Sequence, residues 1–218
     1  MENARFVPPG ADKLRDAIGS WEKFLHADFP DLLVQLAIVH AEFEALHPFL
    51  DGNGRIGRML IPLFLWKNGL IRKPTFYISA YLEANREAYF EKLLAVSRDH
   101  NWTDWCRFFV NALHIQAESN LRKTQNILAL YENMKKRIGE ITHSRHAIRA
   151  LDWLFEKPIF VASDFSKCAD IPWATSTRLL TALRKEGILQ VLVPVKGSQS
   201  ALFAYDELLR TALGIKIL

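Results

Sequence analysis

Residues 32–46 read LLVQLAIVHAEFEAL and are apolar on nearly every side. A helix with so little polar surface belongs in the middle of a bundle. It runs straight into HPFLDGNGRIGR, residues 47–58, whose Asp-Gly-Asn-Gly centre forces a loop. Apolar periodicity resumes at Ile56, Met59, Leu60, Leu63 and Phe64 and stops at Asn68-Gly69. Pro62 inside this second helix predicts a kink or a lost backbone bond. A buried helix, a glycine loop and a second apolar helix commit the chain to a mainly α fold with that loop beside its core.

The flanking sequence agrees. Pro8-Pro9-Gly10 marks a turn, and Leu14, Ile18, Trp21 and Leu25 predict an amphipathic helix from Asp12 to about His26. Asp31 is placed to cap the helix that follows. Further helices are expected from about Tyr81 to Ser97 and over residues 102–138, where Gly139 is expected to break the run. Trp102 and Trp105 fit a core pattern. Beyond Gly139 the texture changes. Helices are expected over His146–Phe155, up to Ala169 with Ser163 or Asp164 as its cap, over Ala174–Glu186 and from Asp206. Strand candidates lie at Ile188–Val195 and Ala201–Tyr205, joined through Lys196-Gly197-Ser198, after an apolar run at Ile159-Phe160-Val161. That order is the order of a winged helix. The expected domains are therefore 1–140 and 141–218.

Composition narrows the class. Only two cysteines occur, Cys106 and Cys168, which excludes a disulfide scaffold and predicts reduced, buried thiols. The longest apolar run, Met59–Trp66, is too short to cross a bilayer, and residues 1–9 carry no signal-peptide pattern. No membrane partner and a cytoplasmic location are the expectation. The net charge of +4 is mild, and the first 140 residues hold 18 basic against 17 acidic side chains. Bulk charge therefore does not call for an anionic partner.

Local chemistry does. Gly52 and Gly54 allow positive φ and close approach of a ligand. Their N–H groups and that of Asn53 precede a helix start, which makes an anion site. Arg55 and Arg58, three apart, share a helix face and can both reach a polyphosphate. Asp51 among these donors would repel phosphate unless it holds a cation, so it reads as a Mg²⁺ ligand. His47 stands next to this nest, placed to take a proton from an attacking hydroxyl. His40 reads as a packed helix histidine, and the remaining histidines show no metal-ligand spacing.

This stretch resembles the Fic family, whose signature HPFx[DE]GNGRxxR is met at every fixed position by residues 47–58. His40 and Phe43, Tyr81–Arg86 and Tyr89-Phe90 look like the rest of the Fic core. The segment Phe6-Val-Pro-Pro9 looks like the stretch after the target-docking flap in Fic proteins with a C-terminal winged helix. The resemblance implies a protein adenylyltransferase, which transfers AMP from ATP to a Tyr, Thr or Ser hydroxyl of a target protein or of itself. It implies His47 as the base and Asp51 as the Mg²⁺ ligand. The ATP site would comprise Gly52, Asn53, Gly54, Arg55, Ile56, Gly57 and Arg58. Arg55 would grip the β- and γ-phosphates and Arg58 the γ-phosphate, with the adenine pocket around Tyr89, Phe90 and Leu93.

The inhibitory pattern [ST]xxxE[GN] of many Fic proteins has no intact copy. Glu2-Asn3, Glu132-Asn133 and Glu186-Gly187 supply only its last two letters, and Leu128 and Ala182 stand where the Ser or Thr belongs. The flap is also missing before Phe6, so a shortened N-terminus without intramolecular inhibition is expected. The alternative is a catalytically silent nucleotide-binding regulator that acts through a DNA- or protein-binding winged helix. UMP or phosphocholine transfer would use the same nest. Thr175, Thr177, Arg178, Thr181, Arg184 and Lys185 would face DNA, although protein docking or homodimerisation fits the mild charge better.

Overall fold

The computed structural model describes residues 7–194 and 200–214. Phe6, Glu2-Asn3, Val195 and the Lys196-Gly197-Ser198 joint lie outside the described residues. The protein is mainly α, and its chain falls into two compact units, 1–120 and 121–218.

The first unit is built on α2 (Leu32–Leu46), with α1 (Ala11–Leu25) and α3 (Asn53–Lys67) packed against it. Asp31 caps α2 as expected: its side chain accepts from the amides of Leu33 at 2.9 Å and Val34 at 3.1 Å. The one polar side chain buried early in α2, Gln35, donates to the carbonyls of Phe24 and Ala27. α3 runs through Pro62, which is buried and has no N–H for the Arg58 carbonyl. The helix expected from Tyr81 to Ser97 is two helices, α4 (Ser79–Ala84) and α5 (Arg86–Asp99). They part at Asn85, whose side chain donates to the Tyr81 carbonyl at 2.9 Å. The start of α6 (Trp102–Thr142) closes the unit. Trp105 is fully buried and donates from Nε1 to the Ala37 carbonyl at 2.8 Å.

Gly139 does not break the run, because α6 continues to Thr142. A helical glycine costs about 1 kcal/mol against alanine. Burial of Ile138, next to Gly139, and of Met134, one turn before Ile138 on the same stripe, outweighs that cost.

The second unit holds the end of α6, then α7 (Ala147–Glu156), β1 (Ile159–Val161), α8 (Ala162–Cys168) and α9 (Trp173–Lys185). β2 (Gln190–Val193), β3 (Leu202–Ala204) and α10 (Asp206–Leu213) follow. The strands form one antiparallel sheet in the order β1-β3-β2, with a register irregularity between Val191 and Val193. Trp153 packs edge-on to Phe160 and Phe165 at 4.8 and 5.1 Å between ring centres. Neither Ser163 nor Asp164 caps α8. Its first residue is Ala162, preceded by Val161, and no side chain caps that end. Cys168 is exposed and Cys106 half-buried, so neither is the fully buried thiol expected from composition. Among the described residues no helix is long and apolar enough to cross a membrane.

Candidate active site

The loop between α2 and α3 owes its shape to two positive-φ residues. His47 ends α2 at φ 45°, and Gly52 opens α3 at φ 85°. The first is uncommon for a side-chain-bearing residue and turns the exposed imidazole off the helix. Gly54, also expected to allow positive φ, lies instead within the first turn of α3.

Asn53 holds the loop shut. Its Oδ1 accepts from the Phe49 amide at 2.9 Å, and its Nδ2 donates to the Phe49 carbonyl at 2.6 Å. The side chain is buried, so what it leaves for a ligand is its backbone N–H. The first intrahelical bond of α3 runs from the Ile56 amide to the Gly52 carbonyl. The amides of Asn53, Gly54 and Arg55 therefore have no intrahelical acceptor and form the positive end of the helix. Asn53→Ala strips the Phe49 backbone of both partners. It is expected to cost about 1–3 kcal/mol in urea unfolding.

Both arginines fold back toward that end. A Cβ on Gly52 would lie 3.3 Å from Arg55 Nη2, and one on Gly54 would lie 3.1 Å from Arg58 Nη1. Arg55 also pairs with Asp51 at 3.2 Å. Both partners are exposed, so the pair contributes little stability and leaves Arg55 available to a ligand. Asp51 Oδ1 accepts from the Gly52 amide at 2.7 Å. Ile56 is half-buried, and Gly57 is buried against α2.

A cavity of about 1210 Å³ opens beside His47, between the end of α2 and α5. Glu44, Ala45, His47, Phe90, Leu93 and Leu94 are among its lining residues. Phe90 is half exposed there. Tyr89 is not in the lining. It is buried, and its hydroxyl meets His40 Nε2 at 2.9 Å. His40 Nδ1 lies 3.3 Å from the Gly57 carbonyl, which can only accept. His40 therefore donates from Nδ1 and accepts the Tyr89 proton at Nε2. Burial lowers its pKa from 6.5 to about 4, with Arg58 acting in the same direction and the Gly57 carbonyl opposing. The packed-histidine reading of His40 thus acquires a task. It joins α2, α3 and α5 at the floor of the site.

One residue here escaped the sequence reading. Glu44, one turn before His47, is largely buried and lines the same cavity. Its signal is a carboxylate, one of two with Glu42, in a helix that is apolar on nearly every side. Among the described residues there is no group of three or more His, Cys, Asp or Glu side chains able to hold a metal ion.

Residues 1–65 match the Fic/DOC family. A probable protein adenylyltransferase of Aquifex aeolicus is 38% identical over 90 residues, covering 39% of this chain and 28% of that protein. Protein adenylyltransferase Fic of Culex quinquefasciatus is 29% identical over 146 residues, covering 63% and 28%. Those matches thus span about a quarter of the length of either relative. A Fic family crystal structure from Desulfovibrio desulfuricans G20 superposes over 91% of this chain and 56% of its own, with a TM-score of 0.50 and 18% identity. That likeness is one of fold. Residues 1–65 therefore match the Fic/DOC family, and the signature loop lies at the junction of α2 and α3.

Proposed function

We propose that this protein is an adenylyltransferase that transfers AMP from ATP to a side-chain hydroxyl of a target protein or of itself. The observation that carries the reading is that one loop and its flanking helices hold an exposed histidine, three open helix-end amides and two back-folded arginines, and that the same histidine lines a cavity between α2 and α5. The names of the relatives agree with it.

In this scheme His47 takes the proton of the target hydroxyl. The hydroxyl oxygen attacks the α-phosphorus, a new P–O bond forms, and the bond to pyrophosphate breaks. The open amides of α3 with Arg55 and Arg58 hold the phosphates, and Phe90 and Leu93 line the base pocket. Mg²⁺ keeps most of its waters and takes one or two carboxylates plus substrate phosphates, so the lone Asp51 fits as its protein ligand. The ion would supply charge neutralisation on the leaving phosphates.

The second unit reads as a winged helix. Thr177, Arg178, Thr181, Arg184 and Lys185 are exposed on α9, whereas Leu179, Leu180 and Leu183 are buried. A target-docking role is proposed for that exposed face. A salt-dependent mobility shift with duplex DNA would instead favour nucleic acid.

The test is incubation with ATP labelled in the adenosine, Mg²⁺ and cell extract. Protein-bound label that disappears with His47→Ala is expected. Nucleotide binding without any His47-dependent label would overturn the reading in favour of a silent nucleotide-binding regulator. Label from UTP or a choline diphosphate in place of ATP would reassign the transferred group.

A further inference from the structure

Among the described residues, Glu44 is the one largely buried side chain beside the signature loop whose charge has no hydrogen-bonded answer. Its Oε1 is shielded from solvent and has no hydrogen-bond partner. The carboxylate reaches the face of α3 only because two glycines leave it room. A Cβ on Gly57 would collide with Oε1 of Glu44, and one on Gly54 would lie 3.9 Å from it. The same Gly54 position is 3.1 Å from Arg58 Nη1. Glu44 and Arg58 thus approach each other across Gly54 without a direct bond.

The other groups around Glu44 cannot supply the missing charge. From α2, His40 Nε2 lies 4.0 Å away, but its lone pair is taken by the Tyr89 hydroxyl and the ring is neutral at ordinary pH. From α5, Tyr89 spends its only proton on His40. His47 acts on Glu44 as a cation only when it is protonated. Arg58, from α3, is the permanent positive charge. Burial is the largest influence on Glu44 and raises its pKa, and Arg58 and His47 pull it back. A buried carboxylate with an open oxygen destabilises a fold unless something is gained from its charge.

We propose that Glu44 is a positioning residue for Arg58, whose guanidinium it holds folded back along Gly54 and aimed at the open amide end of α3. Arg58 then meets the terminal phosphate of ATP already in place, and the side-chain entropy of ordering it is spent before binding. This role rests on the adenylyltransferase reading for its ligand, but not on catalysis.

The test is ATP and AMP binding by calorimetry with the full chain as wild type, Glu44→Gln, Arg58→Ala and the double variant. Glu44→Gln is expected to weaken ATP binding roughly ten-fold, within the coupling seen for neighbouring charged groups. AMP, which lacks the terminal phosphate, should bind as before. In the Arg58→Ala background Glu44→Gln should change nothing further. The KM for ATP should rise by a larger factor than kcat falls, and Glu44→Asp should recover most of the ATP affinity. Because burial raises the Glu44 pKa, Glu44→Gln is also expected to melt higher at pH 7, so a folding failure is not its natural outcome. Equal losses for ATP and AMP, independent effects in the double variant or tighter ATP binding in Glu44→Gln would each overturn the proposal. Coupling without AMP transfer would overturn only the adenylyltransferase reading. Transfer without coupling would overturn only the role of Glu44. No ATP binding by the wild type would overturn both.

Discussion

His47→Ala is expected to lower AMP transfer by about 10²–10⁴-fold, the usual contribution of a positioned general base. Nucleotide affinity should stay near that of the wild type. The imidazole directly follows the last residue of α2, is turned off the helix by a positive φ, and is exposed at the cavity edge. It fills no core space, so its loss removes no packing. The groups proposed to hold the phosphates (the amides of α3, Arg55 and Arg58) sit on the next helix, whose entry Asn53 fixes through Phe49. Rate and affinity should therefore separate cleanly in this variant. A His47→Ala protein that transfers AMP at the wild-type rate would remove the base from the scheme. Equal loss of ATP affinity and rate would make His47 a binding residue.

The second large effect is on acid stability. His40 has its pKa lowered to about 4 from 6.5 by burial. An unfolded chain binds that proton as pH falls through about 6.5, and the folded chain resists until about 4. The unfolded state therefore gains relative stability throughout that window, by about 3 kcal/mol in total at 1.4 kcal/mol per pKa unit. Protonation also forces Nε2 to donate, which removes the acceptor of the Tyr89 hydroxyl and loosens the joint between α2 and α5. Glu44 works in the opposite direction: its raised pKa makes the folded state bind a proton sooner, so its contribution rises as pH falls. The measurement is a comparison of unfolding free energy at pH 7 and pH 4 for wild type and His40→Gln, with amide exchange in α2 and α5 reporting the first unit. The wild type is expected to lose about 3 kcal/mol more than His40→Gln. Identical pH slopes would contradict the buried neutral histidine.

Much of the site was legible because its chemistry is contiguous. His47, Asp51, Gly52, Asn53, Arg55 and Arg58 fall within twelve positions, and local rules bring them together. An apolar helix must be buried, an Asp-Gly-Asn-Gly stretch must turn, and arginines three apart share a face. The floor of the site was not legible, because it depends on pairs far apart in sequence. His40 and Tyr89 are 49 positions apart, and no periodicity distinguishes a tyrosine that bonds a buried histidine from one that stacks on a ligand. Glu44 was hidden for a related reason. Its environment is set by the absence of side chains at Gly54 and Gly57 on another helix. The misplaced break at Gly139 shows the reverse case. Gly139 is locally unfavourable, but its cost is smaller than the burial gained around it.

The proposed reaction has the loop direct attack at the α-phosphorus of ATP. It is tested most directly by two parallel reactions, one with ATP labelled at the α-phosphate and one with ATP labelled at the γ-phosphate. Wild-type protein is expected to place the α-label on protein, leave the γ-label in free pyrophosphate, and lose the α-label with His47→Ala. Protein-bound γ-label, or α-label that persists without His47, would contradict the account.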